Sequence, residues 1–231
     1  MKRDSAGFIG DLHGSAWQWV RGLYAVTPET TDTARLQRKV QAAIAGGARL
    51  VQYRNKTSHQ ALREEQAGAL NALCGATAVP LIVNDDIELA CAIRADGVHL
   101  GKEDAPLSAA RAALGPRALI GVSCYDDLAR AISAERAGAS YVAFGSFYPS
   151  SVKPGAVRAS IELLQKARAA LHIPIVAIGG ITANNAGALI TAGADAVAVI
   201  SALFDAEDPD ASAQTFSRLF ATLSQVPNFS T

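Results

Sequence analysis

Three polar residues, Asn84, Asp85 and Asp86, directly follow a short apolar run in the chain. Adjacent carboxylates repel each other and lose hydration on burial, so their place at the end of a core segment needs a reason. One interpretation is a helix cap, because Asp85 and Glu88 have N-cap and N3 spacing and Asp86 suits the first turn. The other interpretation is a cation site. This stretch alone favours the cap.

Another carboxylate, Asp104, follows the next apolar run within the stretch GVHLGKED. Asp85 and Asp104 therefore end neighbouring predicted strands and could converge on one cation. Two carboxylates, completed by substrate phosphate oxygens and water, are a usual way for proteins to hold Mg²⁺. Taken alone, Asp104 also suits a helix cap, and His99 suits a structural role.

Two basic residues follow an earlier apolar segment. Because side chains alternate along a strand, Gln52 and Arg54 share one face, and Val51 and Tyr53 share the other. If the apolar pair faces covering helices, Gln52 and Arg54 point inward, with Lys56 just beyond them. This pattern predicts a phosphate clamp, because a buried Arg needs an anionic partner. For Lys56 alone, a solvated turn is the simpler interpretation.

A second anion-binding region is indicated later in the chain. Gly179 and Gly180 let backbone N–H groups approach an anion, and Ser201 adds a hydroxyl donor. The loop 145–155 is rich in Ser, Pro and Gly and carries Lys153. It either closes over a ligand or is a plain surface loop.

These polar residues all follow the strands of one repeating pattern. Apolar runs are found at 23–26, 49–53, 81–83, 97–100, 118–122, 141–144, 175–178 and 196–200. Amphipathic stretches separate them, for example at 33–45, 59–73, 126–137, 161–171 and 184–192. Such a pattern, over roughly 200 residues, predicts a (β/α)8 TIM barrel, whose active site lies at the carboxyl ends of the strands. An open doubly wound sheet is the alternative, but no GxGxxG follows the first run.

Composition narrows the class of protein. The 231 residues carry 21 basic and 21 acidic side chains, which argues against a nucleic-acid or membrane-surface partner. The three cysteines lack CxxC spacing, and no signal peptide is evident, so we expect a reduced, cytoplasmic protein. We expect one domain, 22–231, with a short N-terminal extension, 1–21. The sequence does not specify an oligomeric state.

The chain resembles the thiamine-phosphate synthase family from residue 23 to about residue 209. The motifs that carry the resemblance are QYRNK at 52, IVNDD at 82, GVHLGKED at 97, GVS at 121, YPSSVK at 148, IGGIT at 178 and VIS at 199. The family condenses hydroxymethylpyrimidine diphosphate with a thiazole phosphate, forming thiamine phosphate and pyrophosphate. The two expected ligands are therefore small phosphorylated substrates.

The resemblance also implies roles for individual residues. The pyrimidine diphosphate would be bound by Gln52, Arg54, Lys56, Asn84, Ser123 and Lys153, of which Arg54, Ser123 and Lys153 would be catalytic. Mg²⁺ would be held by Asp85 and Asp104, which leaves Asp86, not Asp85, as the carboxylate that steadies the start of the following helix. The thiazole phosphate would be held by Ser150, Ser151, Val152, Gly180, Ile200 and Ser201. The implied reaction is dissociative and needs no protein nucleophile, and no Ser–His or Cys–His pair is evident in the sequence.

Three alternatives remain open at this stage. Thiazole tautomerase, a related isomerase, lacks the NDD pair and uses a His where this chain has Ser123-Cys124-Tyr125. A barrel that binds a phosphate ligand without catalysis would be expected to lose its charged residues, yet all are present: Arg54, Asp85, Asp104 and Lys153. Another phosphosugar barrel enzyme would not explain a carboxylate pair beside a basic clamp.

One departure from the family pattern yields a prediction. The family usually has Thr immediately before the loop lysine, and this chain has Val152. The missing hydroxyl removes a donor near the thiazole phosphate, so we expect Val152→Thr to lower the KM for that substrate and to leave the chemical step intact. Steady-state kinetics with the thiazole phosphate varied would check this. An unchanged KM would contradict it.

Overall fold

The computed structural model describes residues 16–56, 58–149 and 157–223. Its strands are β1 (Gly22–Val26), β2 (Ala48–Tyr53), β3 (Leu81–Asn84), β4 (Gly97–Leu100), β5 (Leu119–Tyr125), β6 (Tyr141–Phe144), β7 (Ile175–Ile178) and β8 (Ala196–Val199). Its helices are α1 (Ala16–Trp19), α2 (Thr33–Ala45), α3 (Gln60–Thr77), α4 (Ile87–Ile93), α5 (Leu107–Leu114), α6 (Leu128–Arg136), α7 (Ile161–Ala170), α8 (Ala183–Thr191), α9 (Ser201–Phe204) and α10 (Pro209–Leu223).

The strands form a closed parallel barrel in chain order, β1 to β8. The ring closes where β1 pairs with β8, with Leu23 opposite Val197. The predicted TIM barrel is thus confirmed. The largest difference at a strand is in β5, which the sequence pattern ends at residue 122 and the structure continues to Tyr125.

Strand side chains alternate between two apolar layers. In β2, Val51 and Tyr53 belong to the cluster between the sheet and the helices, whereas Leu50 belongs to the cluster inside the barrel. Gln52 lies on the same inner face as Leu50 and is 5% exposed. The predicted inward direction of Gln52 is confirmed, and near-continuously apolar strands fit a sheet covered on both faces.

Several helices begin at side-chain caps, and two are followed closely by a left-handed glycine. Asp32, Asp127 and Ser160 each accept a backbone N–H from the first turn of the helix that follows, at 2.8, 2.9 and 3.2 Å. Gly138 and Gly193, which follow α6 and α8, have φ of 89° and 110° and turn the chain toward the next strand.

The end of β3 resolves the question of the cap. Asp86 is the N-cap of α4, and its Oδ1 accepts the N–H of Leu89 at 2.9 Å. The assignment of the helix start to Asp86 is thus confirmed. The local interpretation of Asp85 as the cap is wrong, because Asp85 has a left-handed φ of 64° and its N–H bonds to the His99 carbonyl at 2.9 Å. The left-handed residue delays the helix by one position, so the Asp85 side chain does not cap α4.

The N-terminal extension is described from residue 16 onward. Helix α1 contributes Ala16 and Trp19 to packing against the interior cluster, which includes the fully buried Val20. Residues 1–15 lie outside the described residues, so the domain boundary at 21/22 stays a prediction. In the part of the chain that the structure describes, no helix has the length and apolar character that a bilayer span requires.

The Asp86 cap can be tested by unfolding. We expect Asp86→Ala to lower the free energy of unfolding by about 1 kcal/mol, because the start of α4 loses its acceptor. Asp86→Asn keeps an equivalent acceptor and should lose much less, although it also ends the ion pair with Arg63. Urea denaturation would measure both. Equal losses would assign the effect to the ion pair instead of the cap.

Candidate active site

One cavity of about 230 Å³ opens at the carboxyl ends of the strands. It brings together seven of the predicted site residues, namely Gln52, Arg54, Asn84, Ser123, Gly180, Ile200 and Ser201. They come from five different strands or strand ends, so the closed barrel, and not nearness in the chain, assembles them. The two predicted anion-binding regions therefore share one space.

The predicted clamp residue Arg54 already has a carboxylate partner. Its Nη1 lies 3.1 Å from Oε1 of Glu29, and the Arg54 side chain is 15% exposed. Glu29 follows β1 and was not singled out from the sequence. Thr27 fixes the Arg54 backbone, because its Oγ1 accepts the Arg54 N–H at 2.9 Å. The guanidinium is thus held at the mouth of the barrel by a neighbouring strand end.

Lys56, Asp85 and Asp104 form a charged cluster beside Asn84. Lys56 Nζ lies 2.6 Å from Asp85 Oδ2. Asp104 Oδ2 accepts the Gly101 N–H at 2.6 Å. Desolvation and the neighbouring Asp85 carboxylate raise the pKa of Asp104 above its usual value, against the lowering effects of Gly101 and Lys56. The structure therefore brings the two predicted metal ligands close together.

This donor set fits Mg²⁺. Carboxylate oxygens are the hard ligands that Mg²⁺ prefers, and a divalent cation between Asp85 and Asp104 would remove the repulsion that disfavours the charge of Asp104. Across the described residues, no group of three or more His, Cys, Asp or Glu side chains could hold a metal. The protein thus offers two carboxylates, and substrate oxygens and water would complete the coordination.

Arg130 holds the ends of β4 and β5 together. This α6 residue donates from Nε to the Ser123 carbonyl at 2.8 Å and from Nη2 to the Gly101 carbonyl at 3.1 Å. Gly101 in turn binds Asp104, so one guanidinium fixes the backbone near a predicted metal ligand and a predicted catalytic residue. The sequence did not indicate this role of Arg130, because the residue lies in a helix several positions after the strand whose end it contacts.

The opposite side of the cavity is built from backbone. Gly180 has φ of 63°, and a Cβ there would lie 2.2 Å from the Pro149 carbonyl oxygen. The start of the β6–α7 loop is fastened at this point, because the Tyr148 N–H bonds to the Gly179 carbonyl at 3.0 Å. Ser201 begins α9 and Ile200 precedes it, and both line the cavity. The predictions for Ser150, Ser151, Val152 and Lys153 lie outside the described residues.

The floor of the cavity carries buried tyrosine and histidine side chains, of which the sequence pattern indicated only His99 as a residue that could line the barrel. Tyr24 and His99 line it, and both are hydrogen-bonded to the fully buried Tyr141, whose hydroxyl lies 2.8 Å from that of Tyr24. His99 Nε2 lies 2.8 Å from Ser123 Oγ, which corrects the expectation that the chain has no Ser–His pair. His99 could be predicted to face inward from its alternation along the strand. The two tyrosines could not be singled out, because each lies within an apolar run of the sequence.

Comparison with known proteins identifies the family. A family model described as thiamine monophosphate synthase matches residues 23–203. The chain belongs to the thiamine monophosphate synthase family. It is 56% identical over 200 residues to the thiamine-phosphate synthase of Thiobacillus denitrificans, covering 87% of this chain and 95% of the relative. It is 55% identical over 202 residues to that of Azoarcus sp. (strain BH72), covering 87% and 98%.

A solved structure agrees with this membership. The thiamine phosphate pyrophosphorylase of Pyrococcus furiosus superposes with a TM-score of 0.80 at 33% sequence identity, covering 90% of this chain and 98% of that one. The expected family, fold and activity, the transfer of a pyrimidinylmethyl group by a thiamine-phosphate synthase, are confirmed. The relatives carry the synthase name, so the tautomerase and non-catalytic alternatives gain no support.

The backbone approach at Gly180 generates a prediction. We expect Gly180→Ala to lower activity at least about tenfold, because a left-handed φ costs an alanine at least about 1 kcal/mol and the new Cβ would push against Pro149. Initial rates with the thiazole phosphate varied would measure this. Gly187→Ala in α8 is the matched control, since its Cβ would meet Leu223 at an ordinary 3.6 Å. Equal activity of the two variants would contradict the prediction.

Proposed function

We propose that the chain joins hydroxymethylpyrimidine diphosphate to a thiazole (carboxy)ethyl phosphate and releases pyrophosphate. The observation that carries the proposal is the single cavity lined by Gln52, Arg54 and Asn84 on one side and by Gly180 and Ser201 on the other. A charged side suits a diphosphate, and a backbone side suits a monophosphate. Family membership supports the same pair of substrates.

The site residues would divide the work as follows. Arg54 and Lys56 would neutralise the diphosphate, and Lys153, from the loop after β6, would add a third positive charge. The amides of Gln52 and Asn84 would bind the pyrimidine, because an amide offers both donors and an acceptor. Gly180, Ile200 and Ser201 would hold the thiazole phosphate, with Ser150, Ser151 and Val152 closing the site.

The reaction would be a dissociative substitution. The bond between the pyrimidine methylene carbon and the diphosphate oxygen breaks first, and the diphosphate leaves with the electron pair. The thiazole nitrogen then supplies the pair for the new C–N bond, so no protein nucleophile is consumed. The main demand on the protein is to stabilise charge on the leaving group, which Arg54, Ser123 and Lys153 would meet.

Asp85 and Asp104 would hold Mg²⁺. When bound, the ion supplies positive charge to the leaving diphosphate oxygens. The contact between Lys56 and Asp85 supports a cation preference at this carboxylate. We further propose a cytoplasmic location, which the sparse cysteines and the biosynthetic relatives favour.

The experiment is to incubate the protein with both substrates and follow pyrophosphate release with Mg²⁺ or with a chelator. We expect release to require both substrates and the metal. Asp85→Asn should lower the rate at least about a hundredfold, because the variant loses the charge of the bound metal. Its free energy of unfolding should stay unchanged, because Asn also tolerates the left-handed φ of this position.

The neighbouring aspartate provides the control for this experiment. Asp86→Asn makes the same chemical change one residue away, at a carboxylate assigned to the helix cap, and should keep its activity. Metal-independent release by the wild-type protein would refute the synthase proposal. Full activity of Asp85→Asn would refute the metal role of that residue.

A further inference from the structure

A continuous chain of hydrogen bonds crosses the floor of the cavity. Gln52 Nε2 donates to the Tyr24 hydroxyl at 2.7 Å, and the Tyr24 and Tyr141 hydroxyls are 2.8 Å apart. The Tyr141 hydroxyl lies 3.1 Å from His99 Nδ1, and His99 Nε2 lies 2.8 Å from Ser123 Oγ. Five side chains from five strands thus connect Gln52, which is predicted to bind the pyrimidine, to the hydroxyl of Ser123, which is predicted to be catalytic.

Such a chain has two self-consistent directions. When each of the two buried phenols donates to its neighbour in the series, a neutral imidazole with one donor and one acceptor nitrogen passes the same direction on, so the direction at one end sets the direction at the other. Desolvation raises the pKa of Tyr24 and of Tyr141, so both phenols keep their protons. The amide of Gln52 is the element that selects between the two directions.

With the Gln52 amide donating, the directions follow in order. Tyr24 donates to Tyr141, and Tyr141 donates to His99 Nδ1. His99 then carries its proton on Nε2 and donates to Ser123 Oγ. The Ser123 hydroxyl proton is left to point elsewhere, and Ser123 lines the cavity. In the reverse direction Ser123 would donate to His99 and present lone pairs, which repel an anion.

The packing holds this arrangement rigidly. The His99 and Tyr141 rings stack with centroids 5.6 Å apart and an interplanar angle of 24°. Gly121 makes room for Tyr141, because a Cβ at that position would lie 2.1 Å from Cζ of the tyrosine ring. Arg130 fixes the Ser123 backbone through its carbonyl at 2.8 Å. The hydroxyl is therefore held from both sides.

We propose that the series Gln52–Tyr24–Tyr141–His99 is a directional relay that turns the Ser123 hydroxyl into a hydrogen-bond donor toward the diphosphate. Tyr24, Tyr141 and His99 are positioning residues, since they act through Ser123. The inference rests on the proposed function for the identity of the anion. The direction of the hydrogen bonds does not depend on it.

The direction can be measured on the histidine ring. In the full-length protein labelled with ¹⁵N-histidine, long-range ¹H–¹⁵N correlations report which ring nitrogen carries the proton. The chain has four histidines, and the His99 signals are those lost in His99→Gln. We expect a proton on Nε2 and none on Nδ1, unchanged by the control Tyr53→Phe, whose hydroxyl bonds to Gln66 outside the barrel. A proton on Nδ1 overturns the proposal.

A double-mutant cycle tests the action through Ser123. A hydrogen bond to a charged group is worth about 10- to 150-fold, so we expect Ser123→Ala to weaken diphosphate-substrate binding within that range. Tyr141→Phe keeps the ring and removes the hydroxyl, and should cost about three- to tenfold alone but less than about twofold in the Ser123→Ala background. Equal losses in both backgrounds would make Tyr141 merely structural and overturn the relay.

Failure of the proposed function would look different. If Ser123→Ala leaves diphosphate-substrate affinity unchanged, the assignment of Ser123 to that substrate is wrong, and the relay has no ligand to serve. The histidine spectrum would still report the direction of the chain. The two measurements thus separate an error in the substrate from an error in the hydrogen bonding.

Discussion

Closure of the sheet is the constraint on which the site depends. Because β1 pairs with β8, every strand has two neighbours, and each strand residue faces either the barrel interior or the helices. The interior is too narrow for eight sets of large side chains, so small residues such as Ala196 and Ala198 share the inner cluster with Tyr24 and Tyr141. The charged groups of the site, such as Arg54, Asp85 and Asp104, lie just past the carboxyl ends of the strands, where ligands can reach them.

Charge at the mouth is balanced within the chain itself. Arg54 contacts Glu29, and Lys56 contacts Asp85. A phosphorylated ligand therefore does not meet bare cations, and its binding exchanges one set of ion pairs for another. Such an exchange gives less net affinity than Coulomb attraction alone would suggest, because existing partners must be replaced. It also gives the largely buried guanidinium of Arg54 a counter-ion.

The barrel and much of the site could be predicted from the sequence, because they follow from the alternation of side chains along each strand and from the order of the motifs along the chain. The period of two placed Gln52 inward, and the order of the motifs placed Asp85 and Asp104 on adjacent strands. Local conformation was harder to predict. The spacing within Asn-Asp-Asp pointed to a cap at Asp85, and only the family's metal role left the cap to Asp86, because the local pattern does not encode the left-handed φ of Asp85. The His99–Ser123 pair depends on the register between β4 and β5, which no local pattern specifies.

The fit between Gly121 and Tyr141 has a further consequence. The two residues lie opposite each other on β5 and β6 and share one volume, since the tyrosine ring occupies the space of the missing side chain. Neither position can accept a larger residue unless the other becomes smaller. A redesign that enlarges residue 121 must therefore give up the phenol at 141. Substitutions at the two positions have to be made together.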